Sequence, residues 1–260
     1  MCLLIAGYRI HPHYPLIIAA NREEAYGRPT RAAHWWEDIP GVLGGRDLEA
    51  GGTWMGVSAS GRFAALTNYW ESEPPHTDPP SRGTLVRDYL AGEGSAEENL
   101  RELRRSGPSY NGFNLLFGGP ERLFYYSNRA QWSGEVGPGV HVISNALLNT
   151  PWPKSERARR FFSRTALRER PEPEELLEML DDVTAPAEQR DPETPRERLQ
   201  QLARSSIRIV FPRFGTRTST ALTISSGGEV HFSERSFDPE GRADFRFHIA
   251  SEGRSRWYLE

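Results

Sequence analysis

The only thiol of this chain stands at its second position. Cys2 is the single cysteine among 260 residues. A deprotonated thiol is a strong nucleophile toward a carbonyl carbon. If Met1 is removed, a free α-amino group, with an ordinary pKa of roughly 7.7–8.0, lies beside the thiol and can accept its proton. The position therefore predicts a catalytic nucleophile. The alternative is a small apolar residue at the head of a buried strand.

A polar cluster, Asn21-Arg22-Glu23-Glu24, follows the second apolar run of the chain. If the first two apolar runs pair as an antiparallel hairpin, Cys2 and Arg22 become neighbours. A guanidinium beside a thiol lowers the thiol pKa and can hold an anionic intermediate. Arg22 is therefore predicted to be catalytic, and Asn21, Glu23 and Glu24 are predicted to contact a ligand. The alternative is a solvated charge cluster.

Three further polar residues stand at the ends of apolar runs. Asn68 and Asn145 each follow such a run, and Arg217 precedes one. An asparagine amide can donate a hydrogen bond to a developing oxyanion, and an arginine can orient an anionic substrate group. These positions predict catalytic roles for all three residues, although the same positions also suit turn residues.

Aromatic residues are concentrated in the segments expected to frame Cys2. In one interpretation they line an apolar pocket, and in the other they belong to the core. Trp54 and Tyr69 are the two that we predict to contact a ligand. The whole group consists of Trp35, Trp36, Trp54, Tyr69 and Trp70.

An N-terminal hairpin is the first element that would position these side chains. Cys2–Tyr8 and residues 16–20 are short apolar runs separated by a turn at His11-Pro12-His13. The segment 21–52 that follows is rich in glycine, proline and charge. Such a composition predicts long functional loops with one or two short strands.

The order of the remaining elements predicts the fold class. Capping sequences mark helix starts at Ser95 and at Thr194-Pro195. The whole order is strands, two helices, strands, helices, strands, which is not the alternation of a doubly wound sheet. It predicts an α+β protein, a four-layer αββα sandwich of two antiparallel sheets. We expect a single domain over residues 1–260, with 184–195 as the candidate linker.

Composition and charge argue against several classes of protein. The net charge is −3, so the chain offers no basic field for nucleic acid. No stretch approaches the roughly 20 apolar residues that span a bilayer, and the opening apolar run is too short for a signal peptide. One cysteine excludes an internal disulfide and a cysteine-rich zinc site. We therefore expect a cytoplasmic protein that binds a small molecule and holds no metal, and the sequence leaves its oligomeric state open.

An ordered set of motifs runs from Met1 to Thr220. The set comprises Met1-Cys2-Leu3-Leu4-Ile5, Ala20-Asn21-Arg22-Glu23-Glu24, Arg28-Pro29, Gly44-Gly45-Arg46-Asp47, Gly51-Gly52-Thr53-Trp54-Met55-Gly56-Val57, Leu66-Thr67-Asn68, Ser81-Arg82-Gly83, Gly112-Phe113-Asn114-Leu115-Leu116, Ser144-Asn145-Ala146, Thr150-Pro151-Trp152-Pro153-Lys154 and Gly215-Thr216-Arg217-Thr218-Ser219-Thr220. It resembles the NRDE family, also called the transport and Golgi organisation protein 2 family. The family's name motif has aspartate third, where this chain has Glu23.

The resemblance implies an N-terminal-nucleophile (Ntn) hydrolase-like αββα fold. Cysteine amidases of the bile-salt hydrolase type also begin Met-Cys. By similarity to them, Cys2 is the nucleophile with its own amine as base, and Arg22 sits beside the thiol. Asn68 and Asn145 would line the oxyanion and amine sites, and Arg217 would close the pocket.

Two functions remain open on this scaffold. The first is an amidohydrolase or acyl transferase that uses Cys2 on a linear amide or thioester. The second is a non-catalytic binding or trafficking protein, because eukaryotic members of the family are linked to haem trafficking and to acyl-coenzyme A or lipid metabolism. We expect no cofactor in either function, and haem would be cargo in the second.

Overall fold

The computed structural model of the protein describes residues 2–73, 75–184 and 194–249. The strands are β1 (Cys2–Tyr8), β2 (Leu16–Ala25), β3 (Thr30–Trp35), β4 (Val42–Asp47), β5 (Met55–Ser58), β6 (Phe63–Asn68), β7 (Phe113–Gly118), β8 (Leu123–Ser127), β9 (Gly134–Glu135), β10 (Gly139–Ile143), β11 (Val210–Phe211), β12 (Phe214–Ile224), β13 (Glu229–Phe237) and β14 (Glu240–His248). The helices are α1 (Gly83–Ala91), α2 (Ala96–Ser106), α3 (Pro153–Ala166), α4 (Pro173–Leu180) and α5 (Pro195–Ser205).

These strands form two antiparallel sheets. Within the described residues, the first sheet has the order β10-β1-β2-β12-β13-β14, with β11 paired to β12. The second has the sequential order β3-β4-β5-β6-β7-β8-β9. Because side chains alternate along a strand, each strand presents one face to the other sheet and one face to the helices. The central strands are therefore apolar on both faces.

Three apolar cores separate four layers. Between the sheets, Leu4, Ile18 and Leu222 of the first sheet meet Val57, Phe63 and Leu116 of the second. On the outer side of the first sheet, Ile5 and Ile17 pack with Ala158, Phe162, Leu176 and Leu177 of α3 and α4. On the outer side of the second, Ala64 and Leu115 pack with Val86, Leu90, Leu100 and Leu103 of α1 and α2. The predicted α+β class and αββα layer order are confirmed.

The second strand is longer than the sequence predicts. β2 continues through the polar cluster to Ala25, whereas its apolar run ends at residue 20. The extension is held by β12, which pairs with β2 along its length until Ala25 lies opposite Phe214. Backbone pairing outweighs the low strand propensity of charged residues here. The cluster therefore lies inside a central strand and not in a loop.

Further predictions concern the segment after β2, the helix starts and the candidate linker. The segment 21–52 contains β3 and β4 as its two short strands. Ser95 and Thr194 cap α2 and α5 with the capping boxes that their spacing predicts. Most of the candidate linker, residues 185–193, lies outside the described residues. The extent of the domain stays a prediction.

Candidate active site

A cleft of about 310 Å³ lies between residues of both sheets. Cys2 and Arg22 come from the first sheet, and Asn68 comes from the end of β6 in the second. The loop before β5 contributes Trp54, and the segment that leads into α1 contributes Arg82. The volume is at the lower end of the range for small-molecule sites.

Cys2 and Arg22 lie directly opposite each other in the register of β1 and β2, as predicted. Cys2 is half-buried, and the Ser144 hydroxyl donates to its carbonyl oxygen over 2.8 Å. Burial raises the pKa of the Cys2 thiol, while the Arg22 guanidinium acts in the opposite direction. The thiol is therefore neutral near pH 7, and nucleophilic attack requires a base.

Arg22 is held in a fixed position beside the thiol. Its side chain is 5% exposed, and its guanidinium lies 4.1 Å from the centroid of the Trp54 ring. Nη1 donates to Thr30 Oγ1 over 3.2 Å, and Nη2 lies 3.9 Å from Glu24 Oε2. Burial lowers the pKa of Arg22, and the Glu24 carboxylate raises it. Stacking and ion pairing together keep a positive charge at the cleft wall.

Arg217 is not among the residues that line the cleft, so its predicted position at the pocket is corrected. Its guanidinium donates to the carbonyl oxygen of Arg28 and, over 3.2 Å, to Thr30 Oγ1. A β-bulge in β12 at this point re-aims the side chain. Arg217 thus lies behind Arg22 and shares Thr30 with it, which makes it a support for the site.

Asn21 also lies away from the cleft, so its predicted ligand contact is corrected. Its side chain is 1% exposed and faces the helices. Nδ2 donates to the carbonyl oxygens of Leu180 and Ile207, each over 2.9 Å, and Oδ1 accepts from Ser219 Oγ over 2.6 Å. A buried amide satisfied in this way joins the sheet to the helical layer.

The two asparagines predicted at the oxyanion and amine sites have different surroundings. Asn68 is half-buried and lines the cleft. Asn145 is 2% exposed, and its Nδ2 donates to the backbone oxygen of Asn68 over 2.8 Å. The Asn145 backbone oxygen accepts from Trp70 N over 2.8 Å. Asn145 is not among the lining residues and holds the backbone of Asn68 in place, whereas Asn68 lies on the cleft wall.

The remaining predicted ligand contacts divide in the same way. Glu23, Glu24 and Trp54 line the cleft, whereas Tyr69 does not. The Trp54 ring packs directly on Gly45, and only a residue without a side chain fits there. A Cβ at Gly45 would lie too close to ring atom Cη2. Trp35, Trp36 and Trp70 are absent from the cleft wall. Trp36 belongs to the core outside the second sheet and Trp35 packs against the core between the sheets, whereas Tyr69 and Trp70 are half-buried.

Three charged residues of the cleft were not predicted as site residues. Arg28, Asp47 and Arg82 all line it. Arg28 Nε donates to Asp47 Oδ2 over 2.8 Å, and Arg82 Nη1 donates to the Gly112 oxygen over 3.0 Å. Arg82 also interacts electrostatically with the Cys2 thiol. These residues belong to the motifs of the sequence, but they do not stand at the ends of apolar runs. Their positions therefore did not predict site residues.

Two charged side chains are buried near Cys2, and one of them belongs to Glu23, which also lines the cleft. Glu23 is 2% exposed and Lys154 is fully buried. Burial raises the pKa of Glu23 to about 7, and the charge of Lys154 opposes that rise. Burial lowers the pKa of Lys154, and the Glu23 carboxylate opposes that fall. In the sequence, Lys154 is notable only as the single lysine.

A second buried carboxyl, that of Glu234, lies between the two sheets. It is 1% exposed, and its oxygens accept from Ala33 N over 2.7 Å and from Thr220 Oγ1 over 3.2 Å. Burial raises the pKa of Glu234 to about 7, while the Arg22 charge lowers it. The carboxyl therefore joins β13 to β3 directly behind Arg22.

Glu234 is expected to make folding stability depend on pH. A carboxyl with a raised pKa takes up a proton on folding between its unfolded value of 4.5 and its folded value of about 7. The folded state therefore loses stability as pH rises through that window, by on the order of 3 kcal/mol. Glu234→Gln should remove this loss. Urea unfolding of both proteins at pH 5 and pH 7.5, with exposed Glu240→Gln as the control, measures it. Parallel pH dependences would contradict the expectation.

The layers and the site together define a class of protein. A four-layer αββα sandwich carries a cysteine at the start of an internal strand, beside a buried arginine and a cleft. These features define an α+β protein of the αββα layer order with a thiol on its cleft.

The chain belongs to the Transport and Golgi organisation 2 family, whose sequence pattern matches residues 1–239. The Bos taurus Transport and Golgi organization protein 2 homolog is 34% identical over 91% of this chain and 93% of its own length. The Homo sapiens homolog is also 34% identical, with the same coverage of both chains. The Drosophila melanogaster Transport and Golgi organization protein 2 is 27% identical over 93% of this chain and 95% of its own length.

Solved structures with a similar course of the chain are more distant in sequence. A Caenorhabditis elegans ortholog of N-acylethanolamine-hydrolyzing acid amidase has a TM-score of 0.46 and 13% identity, over 85% of this chain and 92% of its own. A C2A mutant of the conjugated bile acid hydrolase from Clostridium perfringens has a TM-score of 0.42 and 11% identity, over 98% of this chain and all of its own (100%).

Two structural features are absent from the described residues. No helix among them is both long and apolar enough to cross a membrane. Nor do these residues contain a group of three or more His, Cys, Asp or Glu side chains that could hold a metal ion.

Proposed function

We propose that this protein is a cysteine amidohydrolase or acyl transferase acting on a linear amide or thioester that carries an anionic group. The observation that carries the proposal is the position of the only thiol, on a cleft and opposite the buried guanidinium of Arg22. Arg82 adds a second guanidinium to the same cleft, whereas the charge of Arg28 is paired with Asp47. Arginine pairs well with carboxylate and phosphate groups, which favours an anionic substrate.

The proposed reaction begins with removal of Met1, which frees the Cys2 amine. That amine takes the thiol proton, and the thiolate attacks the carbonyl carbon of the substrate. The tetrahedral intermediate carries an oxyanion, to which the Asn68 amide and Arg22 can donate. The C–N bond then breaks, and the leaving amine takes the proton held by the Cys2 amine. A thioester remains on Cys2.

Water or a second amine completes the reaction. When water attacks the thioester, the Cys2 amine accepts one of its protons and the C–S bond breaks. The products are a carboxylic acid and the regenerated thiol, so the sum is amide plus water giving acid plus amine. When an acceptor amine attacks instead, the acyl group is transferred. The first step needs a base because the thiol is neutral at rest. The second step needs one because the attacking water or amine must lose a proton.

A second candidate function is non-catalytic binding of an anionic ligand, such as haem or an acyl-coenzyme A. The guanidinium groups of Arg22 and Arg82 in one cleft favour it, since they would bind carboxylate or phosphate groups whether or not a bond is broken. The two functions differ in whether the Cys2 amine is free and whether the thiol turns over.

Intact mass and a matched substrate pair test the proposal. We expect a mass that lacks one methionine, and release of aminocoumarin from an N-acyl aminocoumarin amide whose acyl chain ends in a carboxylate. The methyl ester of the same compound should react at least about tenfold more slowly in kcat/KM, a difference of about 1.4 kcal/mol. A retained Met1 with no release from either compound would reject catalysis. Saturable titration with haem or palmitoyl-coenzyme A would then support the binding function.

A further inference from the structure

The only lysine of the chain is buried without a hydrogen-bond partner. Lys154 is fully buried in the first turn of α3, and in the part of the chain that the structure describes its Nζ donates to no acceptor. An ammonium group taken out of water is costly unless a nearby opposite charge compensates it. The place of Lys154 in the fold therefore calls for a counter-charge.

The course of α3 brings Lys154 to the Cys2 end of the first sheet. α3 packs on β1 and β10, and a Cβ at Gly7 would lie 2.9 Å from ring atom Cε1 of Phe162. From Phe162 back to Lys154 the helix covers roughly 12 Å. From Gly7 back to Cys2 the strand covers roughly 16 Å. The first turn of α3 therefore reaches the region beneath the start of β1.

The counter-charge there is Glu23. Its side chain is 2% exposed, and the residue lies in β2 between Arg22 and Glu24, where all three line the cleft beside Cys2. Among the described residues, Glu23 and the Cys2 thiol are the groups that interact electrostatically with Lys154. The neighbouring cation of α3, Arg157, is instead bound to Asp182 over 2.8 Å.

The register relates this pair of charges to the start of the chain. Cys2 is opposite Arg22, so the backbone nitrogen of Cys2 lies level with the link between Arg22 and Glu23. The Glu23 carboxylate is thus the anionic group next to the amine that loss of Met1 would free. A carboxylate fixed there can orient that amine as the base for the thiol.

We propose that Lys154 is a positioning residue, whose ammonium group is the counter-charge of Glu23 beneath the Cys2 amine. Lys154 does not touch the substrate in this arrangement. The pairing of Lys154 with Glu23 is independent of any reaction, and its contribution to turnover rests on the proposed function. Loss of Lys154 would remove the charge that opposes the rise in the pKa of Glu23, so less of the carboxylate that orients the amine would be present.

Because the chain has one lysine, its charge can be observed directly. Protein grown on lysine labelled with ¹³C at Cε should give one lysine signal, whose chemical shift reports the protonation of Nζ. We expect the charged form at pH 7.5 in the wild type. Glu23→Gln should move the titration midpoint down by at least one pH unit, a tenfold change in the protonation equilibrium. Glu23→Asp, which keeps the charge, and Glu24→Gln, on the neighbouring residue, should leave it within about 0.3 pH unit of the wild type.

The wild-type spectrum decides the pairing even if a variant does not fold. A neutral Lys154 at pH 7.5 would overturn the proposal, as would equal midpoints in folded Glu23→Gln and Glu24→Gln. For turnover of the aminocoumarin amide, Lys154→Met should lower kcat at least about tenfold with KM within about twofold. An unchanged kcat would overturn the positioning role. A wild type without turnover refutes the proposed function instead, and the labelled-lysine result still decides the pairing.

Discussion

Cys2→Ala is expected to abolish turnover of the aminocoumarin amide, with a loss of at least about 10³-fold in kcat. The reason is that alanine cannot form the thioester through which the proposed reaction passes. The side chain is half-buried, so the loss of one sulfur atom should change the free energy of unfolding by no more than about 1 kcal/mol. Steady-state rates and urea unfolding measure the two quantities on the same preparation.

The serine variant separates a nucleophile from a packing residue. Cys2→Ser keeps the size of the side chain and permits removal of Met1, but its hydroxyl ionises far less readily than a thiol. We expect at least about 10²-fold lower kcat, with a similar KM. Equal turnover by wild type, Cys2→Ala and Cys2→Ser would show that Cys2 is not the nucleophile, whatever residue then performs the reaction.

Arg22→Met is expected to reduce the reactivity of the thiol and, with it, the rate of catalysis. The guanidinium lowers the pKa of Cys2 against the larger, raising effect of burial. Its removal leaves burial unopposed by that charge, so the thiol pKa rises and less thiolate is present at any given pH. At pH values below the pKa, each unit of increase in the pKa lowers the thiolate fraction tenfold, and alkylation slows with it. With loss of oxyanion stabilisation, we expect about 10²-fold lower kcat.

Alkylation by iodoacetamide measures this effect without a substrate. Because the chain has one cysteine, intact mass follows a single reaction between pH 7 and pH 10. The Arg22→Met profile should lie at higher pH than that of the wild type. Arg22→Lys keeps the charge but loses the stacking on Trp54, so its profile should lie between the two. Coincident profiles for all three proteins would contradict the electrostatic role of Arg22.

The sequence was a good guide where one local signal coincided with one physical requirement. Short continuous apolar runs predicted buried strands, and the order of strands and helices predicted two sheets with helices outside. The pairing of Cys2 with Arg22 followed from hairpin geometry alone. Capping boxes at Ser95 and Thr194 gave the starts of α2 and α5.

The sequence was a poor guide where the direction of a side chain depends on distant partners. Asn21 and Arg22 are adjacent, but alternation in β2 sends one to the helices and the other to the cleft. Arg217 lies behind Arg22 because of a bulge in β12, which no local sequence pattern predicts. Arg82 reaches the cleft because α1 begins there, and that depends on how the segment before α1 packs. Contacts of this kind, between residues far apart in the chain, produce no periodic pattern in the sequence.

The internal position of β1 has a practical consequence for recombinant work. The strand pairs with β2 from its first residue and with β10 from Leu4 onward, so the backbone of Cys2 is fixed in the sheet. An affinity tag fused ahead of Cys2 would keep the Cys2 nitrogen in a peptide bond and would remove the base of the proposed reaction. Purification handles therefore belong at the opposite terminus, or need a protease site whose cleavage leaves cysteine first.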